Sequence, residues 1–222
     1  MINQFINKAK EDVVLSISFI LALVTSFFNI PKISYIDFKV LISLFNLMVV
    51  IEAFEKQKLL EMISIRILDK FHKERSVSLI LILITFLFSM FITNDVALIT
   101  FVPLTLIIAK KAKINPMEII VFQTLAANIG SSLTPMGNPQ NLFLYSKFNL
   151  TIGIFLKTML PFVLLGLFVL ILLNLLIPNK SINFHIEEVN IKDKKITLIF
   201  ICLFILILLS IFNIINYYIA FL

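Results

Sequence analysis

The chain has 222 residues, of which 60% are hydrophobic and only 14% are charged. About 25% of the residues of a soluble domain are charged, so this composition excludes a soluble enzyme or binding module. The formal net charge of +6 is explained by the enrichment of Lys and Arg in cytoplasmic loops and does not indicate a nucleic-acid partner. Because lipid cannot hydrogen-bond the backbone, the long apolar runs predict an all-α, multi-pass membrane protein.

Seven apolar segments are expected to cross or enter the membrane, with the N-terminus in the cytoplasm: residues 13–30, 38–54, 76–92, 96–109, 117–146, 158–177 and 196–218. In this topology the cytoplasmic side holds fifteen of the 19 Lys and Arg residues and the other side holds four, a bias that predicts the orientation. No small-residue cleavage site follows the first segment, which is therefore expected to be a retained span. Cys202 stands alone in the last segment, which predicts a buried, unreactive thiol. The abundance of Ile, Lys and Asn is typical of an AT-rich bacterial genome, so the cell membrane of a bacterium is the expected location.

Residues 57–71 differ from the spans because they combine charged and apolar residues. One face of a helix in this segment would carry four apolar residues: Leu60, Ile63, Ile67 and Phe71. This pattern is typical of a helix that lies in the cytoplasmic membrane interface. A simple cytoplasmic extension of the second span is the alternative.

The segment 76–109 has basic residues at both flanks and the polar triplet Thr93, Asn94 and Asp95 in its middle. Both ends are therefore placed on the cytoplasmic side. As a helix, the arm 96–109 would rise about 21 Å, which is short for a hydrocarbon core of about 30 Å. These lengths favour a re-entrant hairpin, with its tip at the triplet, over two full crossings. An ordinary turn between two spans is the simpler alternative.

The apolar run 117–129 leads into "NIGSSLTPMGNPQN", residues 128–141, which contain two of the four Gly and two of the seven Pro of the chain. Gly130 is expected to end the first helix in the left-handed conformation. Asn138 is expected to cap a second helix, with Pro139 at its first position. The pattern predicts one discontinuous helix over 117–146, and an extracellular loop between two short helices is the alternative.

The two interruptions bring polar groups to membrane depth, where irregular backbone must be buried in protein or line an aqueous cavity. The predicted helix N-termini at Asn94–Asp95 and Asn138–Pro139 carry unpaired N–H groups that attract anions. The C-terminal end of the first half-helix is expected to offer free carbonyls near Asn128–Ile129. Together with amides and hydroxyls these carbonyls could coordinate sodium, the side chains being those of Asn94, Asn128, Ser131, Ser132 and Thr134. Broken helices of this kind hold the ion and substrate sites of many transporters.

The remaining polar residues predict connections and not sites. Residues 178–195 are expected to form a solvated loop without a metal site, although they include His185, Glu187 and Glu188. The last span is expected to end at the aromatic pair Tyr217 and Tyr218. Isolated polar residues in or near the spans are expected to pair with neighbouring helices or to lie at the interface: Glu52, Glu118, Gln123, Lys157 and Asn174. Both histidines fall in loops and no nucleophile or metal-ligand motif is present, so an intramembrane enzyme is not expected.

Two stretches, "TNDVALITFVPLTLIIA" and "QTLAANIGSSLTPMGNPQNLFLY", resemble the first half of a citrate-transporter-like permease of the ion transporter superfamily. The upstream stretch "YIDFKVLISLFNLMVVIEAFEKQKLLE" is similar to the early scaffold region of that family. The group includes divalent-anion:sodium symporters, arsenical pump membrane proteins and certain sodium/proton antiporters. Its members are built from two inverted repeats, each with a re-entrant hairpin and a broken helix. They move substrate by an elevator-like shift of a transport domain against a scaffold that often dimerises.

The resemblance implies a secondary active transporter of a small organic or inorganic anion, coupled to sodium or protons and needing no other cofactor. It implies a homodimer in the full-length form. Residues 1–75 would be scaffold, 76–147 the transport region, 148–195 a span and cytoplasmic loop, and 196–222 the start of a second repeat. The implied binding residues are Thr93, Asn94, Asp95, Asn128, Gly130, Ser131, Ser132, Thr134, Gly137, Asn138, Pro139 and Asn141, with sodium at Asn94, Asn128 and Ser131.

Two departures from the family pattern modify these expectations. The tip reads Thr-Asn-Asp where the dicarboxylate symporters carry a Ser-Asn-Thr type motif, and the carboxylate of Asp95 opposes a multivalent anion. A sodium/proton antiporter or an arsenite-type efflux permease is therefore the alternative, ahead of a channel or a membrane assembly subunit. The chain also carries one hairpin and one broken helix where the family has two of each. It is expected to form half of a transport site, and a truncated chain is favoured over two copies inserted in opposite orientations.

Overall fold

The computed structural model describes residues 13–28, 30, 32–33, 36–184 and 189–215. Over these ranges the regular secondary structure is helical apart from one isolated β-bridge, between Lys73 and Ser181, which confirms the all-α prediction. The helices are α1 Val13–Phe28, α2 Phe38–Lys56, α3 Leu59–Leu68, α4 Glu74–Ser89, α5 Asn94–Ala112, α6 Met117–Ser131, α7 Pro139–Lys147, α8 Ile152–Asn174 and α9 Lys194–Ile211, with a 3₁₀ turn at Pro135–Gly137. Two compact units are present, residues 1–38 and 39–222. The first contains α1, a 16-residue apolar helix, and the second contains everything discussed below.

The core of the second unit is built around α4 and α6. These two helices pack along each other, and α5 and α8 pack onto α6. On α4 the core-facing residues include Val77, Leu81 and Ile82, which are all but inaccessible. On α6 the buried residues Ala126 and Ala127 are small, and small residues allow helix backbones in a membrane to approach closely.

Helices α8 and α9 are long and apolar enough to cross a membrane, with 23 and 18 residues. They would rise about 35 Å and 27 Å. Large apolar side chains such as Phe162 and Leu165 on α8 are exposed, and an apolar surface of this extent is typical of a face that contacts lipid or another protein segment. Cys202 is also exposed on α9. The expectation of a buried thiol is therefore wrong, because this face of α9 points away from the core.

Helices α4 and α5 form a helical hairpin whose turn spans residues 90–93. However, α5 has 19 residues where the sequence predicted 14, because Asn94, Asp95 and residues 110–112 are also helical. Its rise of about 28 Å is close to the thickness of the hydrocarbon core, about 30 Å. The length argument for a re-entrant hairpin therefore fails, and the position of the tip inside the bilayer stays a prediction.

A buried polar network joins the three central helices α4, α5 and α6. Thr105 of α5 donates to Oε1 of Gln123 of α6 at 2.7 Å. The Gln123 amide nitrogen donates to the hydroxyl of Thr85 of α4 at 3.0 Å. All three side chains are at most 1% exposed. The prediction that Gln123 binds neighbouring helices is therefore confirmed, and α4, α5 and α6 are tied together in their interior.

Helix α3 is separate from α2, because Lys58 between them has left-handed backbone with a φ of 59°. A continuous extension of the second span is thereby excluded. Leu60, Ile65 and Leu68 are buried against the protein, whereas Ile67 of the predicted apolar face is exposed. The location of α3 in the membrane interface stays a prediction.

The segment after α8 is more ordered than the solvated loop predicted for it. Lys73 and Ser181 form the isolated β-bridge, and the N–H of Glu74 donates to the carbonyl of Lys180 at 2.9 Å. Ile182 is buried. Asn174 donates from Nδ2 to the carbonyl of Arg75 at 3.2 Å, which confirms its pairing with a neighbouring helix.

The other isolated polar residues of the sequence analysis lie on the surface of the second unit. Glu52 pairs with Lys56 at 3.2 Å, and Glu118 and Lys157 are exposed. Their location at the membrane interface stays a prediction. The predictions for His185, Glu187, Glu188, Tyr217 and Tyr218 concern positions outside the described residues.

Gly130 lies inside α6 and not beyond its end. No glycine among the described residues has a positive φ, and α6 continues to Ser131, so the predicted left-handed cap at Gly130 is wrong. The position requires glycine for packing. A Cβ there would lie 2.2 Å from the carbonyl oxygen of Phe86 and 2.5 Å from Oγ of Ser89, so the backbones of α4 and α6 are in direct contact.

We predict that Gly130→Ala destabilises the protein by about 1–3 kcal/mol, the range for an overpacked core. The Phe86 carbonyl belongs to the backbone and cannot withdraw without moving α4. The measurement is the unfolding temperature of the purified protein in detergent. Gly153→Ala is the matched control, because a Cβ at that helical position meets nothing within 4 Å and Ala favours a helix by about 0.5–1 kcal/mol over Gly. Equal unfolding temperatures for the two variants would contradict the packing role.

Candidate functional site

The chain between α6 and α7 forms the predicted interruption. Helix α6 ends at Ser131, the 3₁₀ turn occupies Pro135–Gly137, and α7 begins at Pro139. The side chain of Asn138 caps α7, since its Oδ1 accepts from the N–H of Asn141 at 2.8 Å. Pro139 follows at the first position, where its missing N–H leaves no bond unmade. These observations confirm the cap and the proline predicted to start the second helix, whereas a single discontinuous helix at membrane depth stays a prediction.

The amide of Asn141 holds the interruption closed. Its Nδ2 lies 3.2 Å from the carbonyl oxygens of Ser131 and Ser132 and 3.1 Å from that of Thr134. Gly137 packs directly on the same turn, since a Cβ at this residue would lie 2.1 Å from the Ser131 carbonyl oxygen. The last carbonyls of α6 therefore face a side-chain donor within the protein.

The expected free carbonyls near Asn128 and Ile129 are not present in this structure. The Asn128 carbonyl accepts from the hydroxyls of Ser131 at 3.1 Å and Ser132 at 2.8 Å. The Ile129 carbonyl accepts from the N–H of Ser132 at 3.2 Å. A hydroxyl that donates still has lone pairs on its oxygen. The two serine hydroxyl oxygens, and any carbonyl lone pair not used in these bonds, remain for a cation.

Two hydrogen bonds join the α4–α5 turn to the interrupted helix. Nδ2 of Asn94 donates to Oδ1 of Asn128 at 3.2 Å, and the Thr134 hydroxyl donates to the carbonyl of Met90. Asn128 also donates from Nδ2 to the carbonyl of Thr124 at 2.8 Å, which fixes the direction in which its oxygen points. The two interruptions that the sequence singles out are therefore in contact.

The predicted site residues divide by exposure into two groups. Gly130, Ser131 and Gly137 are buried and act through packing and hydrogen bonds to the loop. The residues with accessible side chains are Thr93, Asn94, Asp95, Asn128, Ser132, Thr134, Asn138, Pro139 and Asn141. Within the described part of the chain, Asp95 has no hydrogen bond or ion pair with another member of the set.

One carboxylate and two helix N-termini supply the electrostatics of this region. Asp95 is the only charged residue between Arg75 and Lys110. It lies in the first turn of α5, where a carboxylate is favoured by the positive end of the helix dipole. The N-terminus of α7 has no acidic residue in its first turn. The region therefore offers one partly neutralised and one unneutralised helix N-terminus.

Sequence reasoning missed two contributors from α4 and its following turn. Met90 supplies the carbonyl that binds Thr134, and Ser89 is fully buried against Gly130. A backbone acceptor has no residue-type signal. Ser89 offered a weak sequence signal, because it is a small polar residue one turn before the interruption.

Comparison with known proteins gives the family of the chain. The family model described as citrate transporter matches residues 5–222. The chain belongs to the citrate transporter family. This confirms the resemblance drawn from the two interrupted stretches, which both lie within the matched range.

The chain is also similar to individual proteins that are named as transporters or membrane proteins. The chain is 36% identical to the uncharacterized transporter MJ0456 of Methanocaldococcus jannaschii over 204 residues, which cover 89% of the chain and 55% of that protein. It is 34% identical to the inner membrane protein YbiR of Escherichia coli over 171 residues, or 76% and 45% of the two chains. The putative transporter arsB of Dictyostelium discoideum is 31% identical over 121 residues, or 51% and 22%. The chain spans about half the length of the first two relatives.

We predict that Asn141→Asp destabilises the protein by about 2 kcal/mol or more, because it removes the donor shared by three carbonyls and places an acceptor among them. Gln140→Glu is the matched control. It makes the same chemical change one residue earlier in the first turn of α7, at an exposed side chain. Unfolding temperature in detergent and the rate of limited proteolysis are the measurements. An unfolding temperature for Asn141→Asp as high as that of Gln140→Glu would contradict the assigned role of the amide.

Proposed function

We propose that the full-length protein is a secondary active transporter of a small organic acid or inorganic oxyanion, coupled to sodium or protons. In this proposal α4 to α7 supply one half of the solute site. The observation that carries it is the Asn94–Asn128 hydrogen bond of 3.2 Å, which places the N-terminus of α5 beside the oxygen-rich end of α6. Membership of the citrate transporter family supports the assignment. The protein would lie in the bacterial cell membrane as a homodimer with cytoplasmic N-termini.

In this proposal the anion binds at helix N-termini, and the cation binds at the C-terminal end of α6. The N-terminus of α5 would present unpaired N–H groups with a partial positive charge of about half a unit, which suits a carboxylate or oxyanion. At the start of α7 the remaining donor would be the N–H of Gln140, because Pro139 has no N–H and that of Asn141 donates to Asn138. Sodium would bind oxygens at the end of α6, with Asn128 Oδ1 and the Ser131 and Ser132 hydroxyls as ligands, since hard cations prefer oxygen. A cation bound there would offset the negative charge of both Asp95 and the anion. Binding of the anion would therefore depend on the cation, which is the requirement for symport.

We predict that Asn94→Ala lowers the transport rate by about tenfold or more, the effect of losing a hydrogen bond to a charged group. The assay is uptake of radiolabelled citrate, succinate or arsenite into proteoliposomes that contain the full-length protein, with an imposed sodium or proton gradient. Asn179→Ala is the matched control, because Asn179 is exposed in the loop after α8. Uptake must saturate with solute concentration and must follow the gradient. A wild-type transport rate for Asn94→Ala would refute the proposed site. Ohmic single-channel currents would refute the carrier mechanism.

A second function, cation/proton exchange or arsenite-type efflux, is favoured by one specific observation. Asp95 presents an exposed carboxylate at the start of α5, where it can bind a proton or a cation and where it disfavours a multivalent anion. One relative of the chain is named putative transporter arsB.

We predict that Asp95→Asn separates the two functions. For an anion symporter, removing the carboxylate preserves or raises anion uptake, because the charge repulsion is removed. For an exchanger, the same variant loses sodium-driven proton movement, measured with a pH-sensitive dye in proteoliposomes. Asp69→Asn is the control, since Asp69 is an exposed carboxylate beyond α3. Loss of both activities in Asp95→Asn with normal folding would assign Asp95 to the solute site in either mechanism, and an effect equal to that of Asp69→Asn would remove Asp95 from it.

A further inference from the structure

A polar cavity of about 440 Å³ lies between α3 and the start of α9, away from the interrupted helices. Its lining combines two cationic side chains with an amide and two apolar side chains: Met62, Arg66, Asn190, Ile191 and Lys194. Arg66 follows Met62 by one turn of α3, so both side chains project from the same face of that helix. The cavity therefore has a basic rim and an apolar floor.

One wall of the cavity is held in place by the turn between α2 and α3. Oε1 of Gln57 accepts from the N–H of Asp193 at 2.9 Å, and the Gln57 carbonyl accepts from the N–H of Lys192 at 3.4 Å. The Asp193 carboxylate caps α9, accepting from the N–H groups of Lys195 and Ile196 at 2.8 and 3.1 Å. The start of α9 is thus fixed relative to the turn before α3 by hydrogen bonds within the protein.

Among the described residues, the two cations of the cavity have no acidic partner. Over the described residues, neither Arg66 nor Lys194 takes part in an ion pair or a side-chain hydrogen bond. The carboxylate of Asp193 is occupied by the cap of α9, and Glu61 pairs with Lys58 at 3.8 Å. Asp69 lies one turn after Arg66 and forms no ion pair with it. Two unpaired cations that line one cavity attract an anion, and the Arg guanidinium suits a phosphate group.

An apolar strip continues from the cavity along α9. Leu198 follows Lys194 by four residues and Ile205 follows it by eleven, so all three lie on one face of the helix. Leu198 and Ile205 are 61% and 51% exposed. A free anion would make no use of this strip, whereas an amphiphile would bind its charged group in the cavity and its chains along α9.

We propose that this cavity binds the headgroup phosphate of an anionic phospholipid, with Arg66 and Lys194 as its ligands and the acyl chains along Leu198 and Ile205. The lipid would bridge α3 and α9 at the membrane surface. The site is separate from the solute site, and the inference depends on the membrane location of the chain but not on the transported solute. Each cation near a membrane surface strengthens the binding of an acidic lipid by about 1 kcal/mol, which corresponds to about fivefold in affinity.

The test uses the purified protein in detergent, titrated with phosphatidylglycerol, phosphatidylcholine or inorganic phosphate and analysed by native mass spectrometry. We expect saturable binding of phosphatidylglycerol, about fivefold weaker in Arg66→Gln or Lys194→Gln and about thirtyfold weaker in the double variant. Lys195→Gln is the matched control, because it removes the same charge from the next residue of α9, which does not line the cavity. Photoactivatable phosphatidylglycerol should crosslink to wild-type peptides that contain Arg66 or Leu198. This measurement uses only the wild-type protein, so it does not depend on whether the variants fold.

Three outcomes would overturn the proposal. Equal binding of phosphatidylglycerol and phosphatidylcholine would show that the cavity does not select for the negative charge of the lipid. A loss in Lys195→Gln as large as in the double variant would show diffuse attraction to the basic surface. Binding of inorganic phosphate in the cavity without competition from phosphatidylglycerol, or crosslinks confined to other helices, would show that the occupant is not a lipid.

Discussion

A carbonyl that is freed when a helix stops must find another donor, and in the region from α4 to α7 that donor belongs to the protein itself. Helix α6 can end at Ser131 because the Asn141 amide reaches three carbonyls and because Gly137 lets the following turn pack on it. Leaving such groups without partners costs about 1–3 kcal/mol each. The contact with the α4–α5 turn through Met90 and Asn94 depends on this closed loop. The same polar residues that interrupt the helix therefore also stabilise the interruption.

The central helices are held together by contacts that suit a lipid environment. Within a membrane, apolar side chains give no preference for protein over lipid, so close backbone packing and internal hydrogen bonds stabilise helix contacts. The direct contact of Gly130 with Phe86 and the buried network of Thr85, Gln123 and Thr105 are of these two kinds. They unite α4, α5 and α6 into one body. A body of this kind can carry a site without distorting it, as the proposed elevator-like movement requires.

The parts of this fold that were predictable from sequence are those that follow local rules. Asn138 and Pro139 start α7 as expected, since a cap and a first-turn proline involve only residues within one helical turn. The role of Gly130 could not be read from its neighbours, because the atom that excludes a side chain belongs to Phe86, 44 residues earlier. The extent of α5 was underestimated for another reason. Hydropathy marks where apolar residues end, while Lys110 and Lys111 remain helical beyond that point.

The candidate site shows the same division between local and distant effects. The residue types that mark it, amides and hydroxyls near Gly and Pro, are visible in the sequence, and their meeting across the two interruptions was anticipated. The sequence did not indicate which oxygens are available to a cation, because the Ser131 and Ser132 hydroxyls donate to the Asn128 carbonyl. Hydroxyl rotation depends on the acceptors that folding brings near, and no sequence pattern specifies it.

The Asn94–Asn128 pair has a consequence for how an empty site differs from a filled one. Oδ1 of Asn128 accepts from Asn94, and its own nitrogen is held by Thr124, so the amide is fixed with its single oxygen toward Asn94. In the proposed mechanism, a cation bound to this oxygen would weaken its hydrogen bond with Asn94, and the Asn94 amide would then be free to bind an anion. One side chain would thus act as a relay, in which arrival of the positive partner releases the donor for the negative one.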